Sequence, residues 1–559
     1  MYLRTTRRTN QDGTTVTYYH LAHNVRHPTT KRSVPKIIHN FGRADELDRQ
    51  QLLRLCKSIA RVCGAEVRDL LAHGESDQSA SCLPKGVSLI GSVELGTPWV
   101  IEQLWERLGL GQGLRRIMAA RGYKVPYERA LLAMTANRLC EPESKLGVWD
   151  RWLPRVYLPS CQDLKLAQMY EAMDLLHDHA AEVEEEVFFK VANLFNLDVD
   201  VVFYDTTTAS FAVDWEDEEE DGESLRRFGY PKEGGWAPQV IVALAVTREG
   251  FPVRSWVFPG NTPDIQTIER VKSDLRGWQL HRTLFVADAG LNGKEAKKTL
   301  ARACGKYLLA TRLNSVKEIR EQVLSAKGRY RQIQENLQAK EVVVGEGVGR
   351  RRYVLCYNPK QAEREHAHRE GLVAKLEEEL AGHPLADANA QWAVDLRASR
   401  RFGRYLRVTK GGLLKLDRQA VKDAARSDGK WVLETNDDSL PIEEAATTYK
   451  ALLVIERCFR TLKTTQIRMR PMYHWAPRRI EAHVKICVLA LLIERVAEDR
   501  CGKTWRWIRE ALRQIEATQF GTKTFYFFER NSPSKPARKI LEALGIQLPP
   551  RVFGTVPRN

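Results

Sequence analysis

Two apolar runs, Val201-Val202-Phe203-Tyr204 and Leu284-Phe285-Val286-Ala287, each lead straight into an aspartate, Asp205 and Asp288. A run without polar alternation reads as a strand buried on both faces, which belongs in a sheet covered by helices. VDVVFYDTTTASF is such a strand ending in hydroxyl residues, and APQVIVALAVTREGFPVRSWVFPGN reads as two strands joined through Arg248-Glu249-Gly250. Thr262-Pro263-Asp264 opens a helix, with a cap residue, a proline at the first position and an acid at the positive helix end. HRTLFVADAG is a strand stopping at Asp288, followed by a helix from Gly293 and the strand KYLLATR. Three antiparallel strands, a helix, then strand, helix and strand specify a mixed α/β sheet with helices on its faces.

The two aspartates set the chemistry. A carboxylate emerging from a buried strand is costly unless paired or bound to a cation, and two of them on neighbouring strands repel. A divalent metal resolves both problems, and oxygen-only ligands favour Mg²⁺ or Mn²⁺ over zinc. Either aspartate taken singly also fits a turn or cap at a strand end; the pair in this setting points to a metal site.

The rest of the chain divides around this core. Residues 1–43, with an Asp12-Gly13 turn before TTVTYYHLA, read as a small basic β-hairpin domain. Residues 44–197 show helical periodicity in LDRQQLLRLCKSIARV, WVIEQLWERLGL and YERALLAMTANRL and read as a helical module. Residues 198–312 hold the first part of the catalytic core, and 313–440 an inserted α+β subdomain, with the charged helix AEREHAHREGLVAKLEEELA among the strand-like pieces EVVVGEG, RRRYVLCYN and KWVLETN. Residues 441–500 complete the core, and 501–559 are expected to be a helical tail.

Charge identifies a partner. Of a net +16, the segments Met1–Arg43 and Arg457–Lys485 carry +7 each, eight Lys/Arg against one acid in both. Clustered excess of this kind is an electrostatic footprint for phosphates, where a dispersed excess would mean only solubility. Asp214–Glu223, with eight acids and no base, cannot pack unpartnered and reads as a mobile surface loop, with a regulatory phosphate mimic as the alternative. The longest uncharged apolar run, Ile486 to Ile493, is too short to span a bilayer, and MYLRTTRRTN lacks a signal-peptide core. Ten cysteines without a Cys-x-x-Cys pair signal neither a zinc ribbon nor a disulfide framework, so a cytoplasmic location is expected. Gly290-Leu-Asn-Gly293-Lys294-Glu295 has the wrong spacing for a phosphate-binding loop, which argues against a nucleotide cofactor.

Tyr449, Glu456 and Lys463 are spaced seven apart, which on a helix puts all three on one face, with Arg460 on the adjoining turn. A salt-bridged heptad face would look the same. Together with YDTTTASF and VADAGL, this stretch resembles the DDE transposases of bacterial insertion sequences, in the group whose signature is Tyr-x2-Arg-x3-Glu-x6-Lys. The resemblance spans about Val199 to Glu498, and GYPKEG, FPGNTPD and RPMYHW…RIEAH look familial too. It departs at Leu452, where the signature has arginine; Arg457 or Arg460 would have to supply that phosphate contact.

The resemblance implies a ribonuclease-H-like core interrupted by an insertion before the last acid. It implies that Asp205, Asp288 and Glu456 are catalytic carboxylates holding two Mg²⁺ ions, with Mn²⁺ as substitute. Water would cut at the transposon end and the freed 3′-hydroxyl would attack target DNA. Tyr449, Arg457, Arg460 and Lys463 would contact DNA, and the amino-terminal modules would recognise the terminal inverted repeats of double-stranded DNA, as a homodimer on paired ends. His474 and His483 fit helix packing or DNA contact. Two other readings share these residues: a transposase-derived DNA-binding protein that no longer cuts, and a stand-alone metal-dependent nuclease.

Overall fold

The computed structural model describes residues 2–9, 15–26, 33–43, 86–195, 199–217, 224–278, 280, 283–302, 305–313, 317–383 and 387–557. The chain forms two compact units, residues 1–85 and 86–559. In the first, strands β1 (Tyr2–Thr9), β2 (Thr15–Arg26) and β3 (Ser33–Arg43) make an antiparallel sheet in that order. The expected hairpin domain is therefore a three-stranded meander; the helix anticipated from Glu46 lies outside the described residues.

The second unit opens with strand β4 (Ser88–Glu94) and helices α1 (Gly96–Arg107), α2 (Leu110–Ala120), α3 (Tyr127–Cys140), α4 (Leu166–Asp178) and α5 (Ala180–Phe195). Strand β5 (Val201–Ser210) then begins the central sheet, joined by β6 (Arg227–Gly229), β7 (Ala237–Val246) and β8 (Pro252–Pro259). Helix α6 (Asp264–Gly277), β9 (Leu284–Ala287), helix α7 (Lys294–Ala301) and β10 (Lys306–Thr311) follow in the expected sequence. β7 is antiparallel to both β5 and β8, whereas β9 is parallel to both β5 and β10.

Burial on both faces explains the unbroken apolar runs. Val201, Phe203, Val240, Val242, Leu284 and Val286 face one core, and Val202, Tyr204, Ile241, Ala243, Phe285 and Ala287 the other. Each fully buried large side chain contributes roughly 1.5–3 kcal/mol, so a one-residue slip would exchange two well-packed faces at once.

Three expectations change. The segment 313–440 is not set apart as a subdomain: its strands β11 (Arg331–Gln334), β12 (Leu337–Val344), β13 (Arg351–Tyr357) and, later, β16 (Lys430–Thr435) extend the central sheet beyond β10. An antiparallel partner was available because β10 would otherwise end as an exposed edge. The segment still builds small cores of its own, one from Ile319, Val323, Val342, Tyr353, Leu355 and Val432 on these strands and the turn before them, and others in the part between β13 and β16. That part comprises helices α8 (Pro359–Ala381), α9 (Gln391–Ala398) and α10 (Arg418–Ala425) and the hairpin β14 (Leu406–Val408) and β15 (Leu414–Leu416). After helices α11 (Ile442–Lys450) and α12 (Leu453–Arg460) comes α13 (Pro477–Cys501), apolar on nearly all sides. Such a helix has to be central, and it packs on α3 and α4, so helices 96–195 share a core with the catalytic segment and are not a separate module. The tail beyond 501 is not all helical: α14 (Trp505–Leu512) and α15 (Lys535–Leu544) alternate with β17 (Glu516–Gly521), β18 (Phe525–Arg530) and β19 (Val552–Pro557), and β17 pairs with β4. The aromatic run Phe525–Phe528 carries the strand propensity. No helix among the described residues is long and apolar enough to cross a membrane.

Candidate active site

Side chains alternate along a strand, so Asp205 faces the same side of the sheet as Val201 and Phe203, and Asp288 the same side as Leu284 and Val286. That is the side on which α12 packs, through Ile455, Cys458 and Phe459. Strand register and helix packing thus bring the two aspartates to the helix that carries Glu456.

The meeting point is Tyr449, whose hydroxyl donates to Asp288 Oδ1 at 3.0 Å. Burial pushes this phenol far above its ordinary range, and the charge of Asp288, with Glu456 and Asp205 behind it, pushes it further, so it stays a donor. Asp205 is raised chiefly by burial; the Lys232 ammonium and the Thr206 amide oppose this, while Asp288 and Asp264 reinforce it. Its Oδ1 accepts from Thr206 N at 2.7 Å and lies 3.6 Å from Lys232 Nζ.

Tyr449 and Glu456 do not share one continuous helix. Between α11 and α12 the backbone tightens into i→i−3 hydrogen bonds, from Leu452 N to Tyr449 O (2.9 Å) and from Ile455 N to Leu452 O (3.1 Å). Leu452, at the signature's arginine position, is only 8% exposed and packs into the core. Lys463 lies in the π-helical turn Thr461–Thr465, away from that face. Its Nζ donates to Glu233 Oε1 at 2.8 Å, and Arg470 reaches the same oxygen at 3.2 Å. Arg457 and Arg460 are exposed on α12.

Several polar groups here escaped residue-by-residue reading. Lys232 also donates through Nζ to the Thr206 carbonyl, and its amide donates to Thr208 Oγ1 at 2.9 Å. Thr206 Oγ1 donates to Asp264 Oδ1 at 2.7 Å, which makes Asp264 a fourth carboxylate beside Asp205. The hydroxyls after Asp205 therefore tie down the start of α6 and GYPKEG, whose only sequence signal was its familial look. α6 itself begins one residue later than anticipated, with Pro263 as its cap and Asp264 first. Tyr230 and Trp236 stand 78% and 58% exposed beside them, their rings 4.7 Å apart.

The acidic stretch is anchored at its start: Asp217 pairs with Arg226, and Trp215 stacks on Trp475 at 5.5 Å. Residues 218–223 lie outside the described residues. His483 is buried on α13, and it and His474 both line one cavity.

The donor set fits a hard divalent cation: apart from the Lys232 ammonium, the polar groups beside Asp205 and Asp288 are carboxylate and hydroxyl oxygens. Among the described residues, no three acid, histidine or cysteine side chains are close enough to enclose one ion.

Residues 198–493, which contain all three acids, match the sequence model of the Transposase DDE domain. This covers more than half the chain, which belongs to the DDE transposases, enzymes that depend on divalent metal. Residues 3–70 match the N-terminal domain of IS1634 family transposases, and the protein is accordingly the DNA transposase of an insertion sequence. No protein of curated function matches the sequence significantly. Among solved structures, the piggyBac transposase synaptic complex with hairpin DNA is similar over 82% of each chain at 9% identity, with a TM-score of 0.32. The Mos1 transposase paired-end complex with left transposon end is similar over 45% of this chain and 74% of that one, at 13% identity and a TM-score of 0.13.

Proposed function

We propose that Asp205, Asp288 and Glu456 are the metal-binding carboxylates, taking two Mg²⁺ ions with Mn²⁺ as substitute. When bound, such ions lower the pKa of an attacking water or 3′-hydroxyl and stabilise the leaving oxygen at phosphorus. The observation that supports this reading is the hydrogen bond from the Tyr449 hydroxyl to Asp288 Oδ1 at 3.0 Å, with the charges of Glu456 and Asp205 also acting on that phenol.

The protein's own groups have separable tasks. Tyr449 orients Asp288 through its donated hydrogen bond. Lys463 and Arg470 receive DNA phosphates near the cut, and Arg457 and Arg460 contact the strand further out. Because Leu452 is buried, Arg470 and Lys232 supply the positive charge that the signature assigns to arginine. The strand order β8-β7-β5-β9-β10, with the first three antiparallel and the rest parallel, supports a ribonuclease-H-like core. The substrate is double-stranded DNA, first the element's terminal inverted repeats, then the target. A homodimer on paired ends and a cytoplasmic location complete the reading, and the amino-terminal unit recognises the ends.

The test is cleavage of a labelled terminal-repeat duplex with Mg²⁺. Asp205→Ala, Asp288→Ala and Glu456→Ala should each lose several orders of magnitude in 3′-end cutting while still binding the duplex. Near-normal cutting by any of the three would falsify its assignment. Wild-type protein that binds ends and never cuts would favour a DNA-binding descendant, and cutting without strand-transfer products a nuclease.

A further inference from the structure

The segment Arg470–Trp475 and the following Arg479–His483 also line a site separate from the three acids. There they close a cavity of about 490 Å³ together with α3 and the short turn Lys145–Gly147. Five cations line it, Arg138, Lys145, Arg468, Arg470 and Arg479, against one carboxylate, Glu143. Glu143 is already held by Arg151 at 2.6 Å and Arg155 at 3.2 Å. Asp174 takes Arg479, and Glu233 takes Arg470.

Arg138 and Lys145 have no ion-pair partner among the described residues, and Glu143, whose charge acts on Arg138, is taken up by Arg151 and Arg155. They are 4% and 3% exposed. Arg138 donates to the carbonyls of Arg468 (3.3 Å) and Glu143 and to Asn137 Oδ1 (3.2 Å), but its Nε has no partner. Lys145 Nζ lies 3.4 Å from His483 Nδ1. That ring's Nε2 bonds the Met469 carbonyl at 3.1 Å, which leaves Nδ1 as an acceptor. Burial and the Arg138 charge bring Lys145 down to about 7, and burial brings His474 down to about 3. Two buried cations without an ion-pair partner are costly, and a phosphate supplies both charge and acceptor oxygens. At the mouth Tyr473 is 64% exposed, with no ring stacked on it among the described residues.

We propose that this cavity binds a nucleotide, with Arg138 and Lys145 holding its phosphate and Tyr473 stacking on its base. The volume suits a ligand of that size. Arg470 NH1 donates to Ser210 Oγ at 3.0 Å, on the strand that carries Asp205, so the cavity adjoins the catalytic strand. The proposal rests on the transposase reading in taking the nucleotide from an unpaired stretch of a DNA strand; a free mononucleotide has the same chemistry.

Isothermal titration of the full-length protein tests it, with inorganic phosphate, dAMP and a single-stranded oligonucleotide as probes. dAMP should bind about tenfold more tightly than phosphate, a preference that Tyr473→Ala abolishes while leaving phosphate binding intact. Arg138→Gln should weaken both about tenfold; if it fails to fold, the exposed Tyr473→Ala substitution still decides. Displacement of dAMP by the oligonucleotide assigns the site to a DNA strand, and dAMP binding without displacement assigns it to a free nucleotide. No binding of phosphate or dAMP at millimolar concentration, or binding unchanged in both variants, overturns the proposal. Asp205→Ala should bind dAMP normally, so failure of the metal assignment and failure of this site are seen separately.

Discussion

Glu233 Oε1 lies 2.8 Å from Lys463 Nζ and 3.2 Å from an Arg470 amino group, the position a phosphate oxygen would take between two such cations. Burial lowers Lys463, and the Glu233 carboxylate opposes that loss by holding the ammonium. Glu233 therefore competes with DNA for the same pair. Glu233→Gln should tighten duplex binding severalfold at low salt, and its log K against log salt should steepen by about one to two, as one or two more phosphates are engaged. A salt titration by fluorescence anisotropy measures both, and an unchanged slope would mean that the two cations do not meet DNA.

Tyr449 reaches the acid site through its hydrogen bond to Asp288. Tyr449→Phe keeps the ring and its packing and removes the donated hydrogen bond. Outer partners of metal ligands typically contribute 10–100-fold, so cleavage should fall by about that factor, with the melting temperature nearly unchanged. Raising the Mg²⁺ concentration should recover part of the loss, because a freer Asp288 binds metal more weakly. A loss as large as that of Asp288→Ala would place Tyr449 in direct contact with the reacting strand instead.

The boundary for truncation lies at residue 85. Residues 1–85 form their own compact unit, whereas β4 pairs with β17 from the far end of the chain, and α1 and α3 share the core with α13. A protein of residues 86–559 should fold, keep non-specific DNA binding and lose selectivity for the element's ends in a gel-shift assay. Cutting further, to residue 160, should give insoluble protein, because it strips Leu131, Met134 and Trp105 from the core.

Much of this was written locally. The unbroken apolar runs before Asp205 and Asp288 announced doubly buried strands, and the hairpin through Arg248-Glu249-Gly250 followed from turn chemistry. Heptad spacing puts Tyr449 and Glu456 on one helix face, but the tightened backbone at Leu452 breaks the helix that the spacing assumes. Long-range pairing was not legible: nothing in EVVVGEG or KWVLETN says that it will add to the edge beyond β10, and nothing near Ser88 names β17 as its partner. Lys232, Glu233 and Asp264 were hidden for the same reason, since their partners Asp205, Lys463 and Thr206 are distant in sequence.

Two buried groups outside the acid site predict the shape of the stability curve. Glu494 on α13 is 2% exposed, accepts one long bond from Thr461 Oγ1 at 3.4 Å, and is raised to about 8 by burial and then by Glu498. Its folded pKa lies above the unfolded value, so the stability it contributes is whole below pH 4.5 and is lost as pH rises toward 8. Lys145 has the opposite sign: with its folded pKa lowered from 10.5 to about 7, stability rises with pH across that interval. The two limbs meet near pH 7 to 8, where they produce a minimum. Glu494→Gln should remove the falling limb, gaining up to about 4 kcal/mol near pH 7.5 at ~1.4 kcal/mol per pH unit, and nothing at pH 4.5. Lys145→Gln should remove the rising limb, leaving stability near pH 10.5 unchanged and raising it throughout the range below pH 7, where the wild type carries the buried charge. Urea denaturation from pH 4.5 to 10 separates the two, and parallel curves for wild type and Glu494→Gln would show that Glu494 is already ionised in the folded protein.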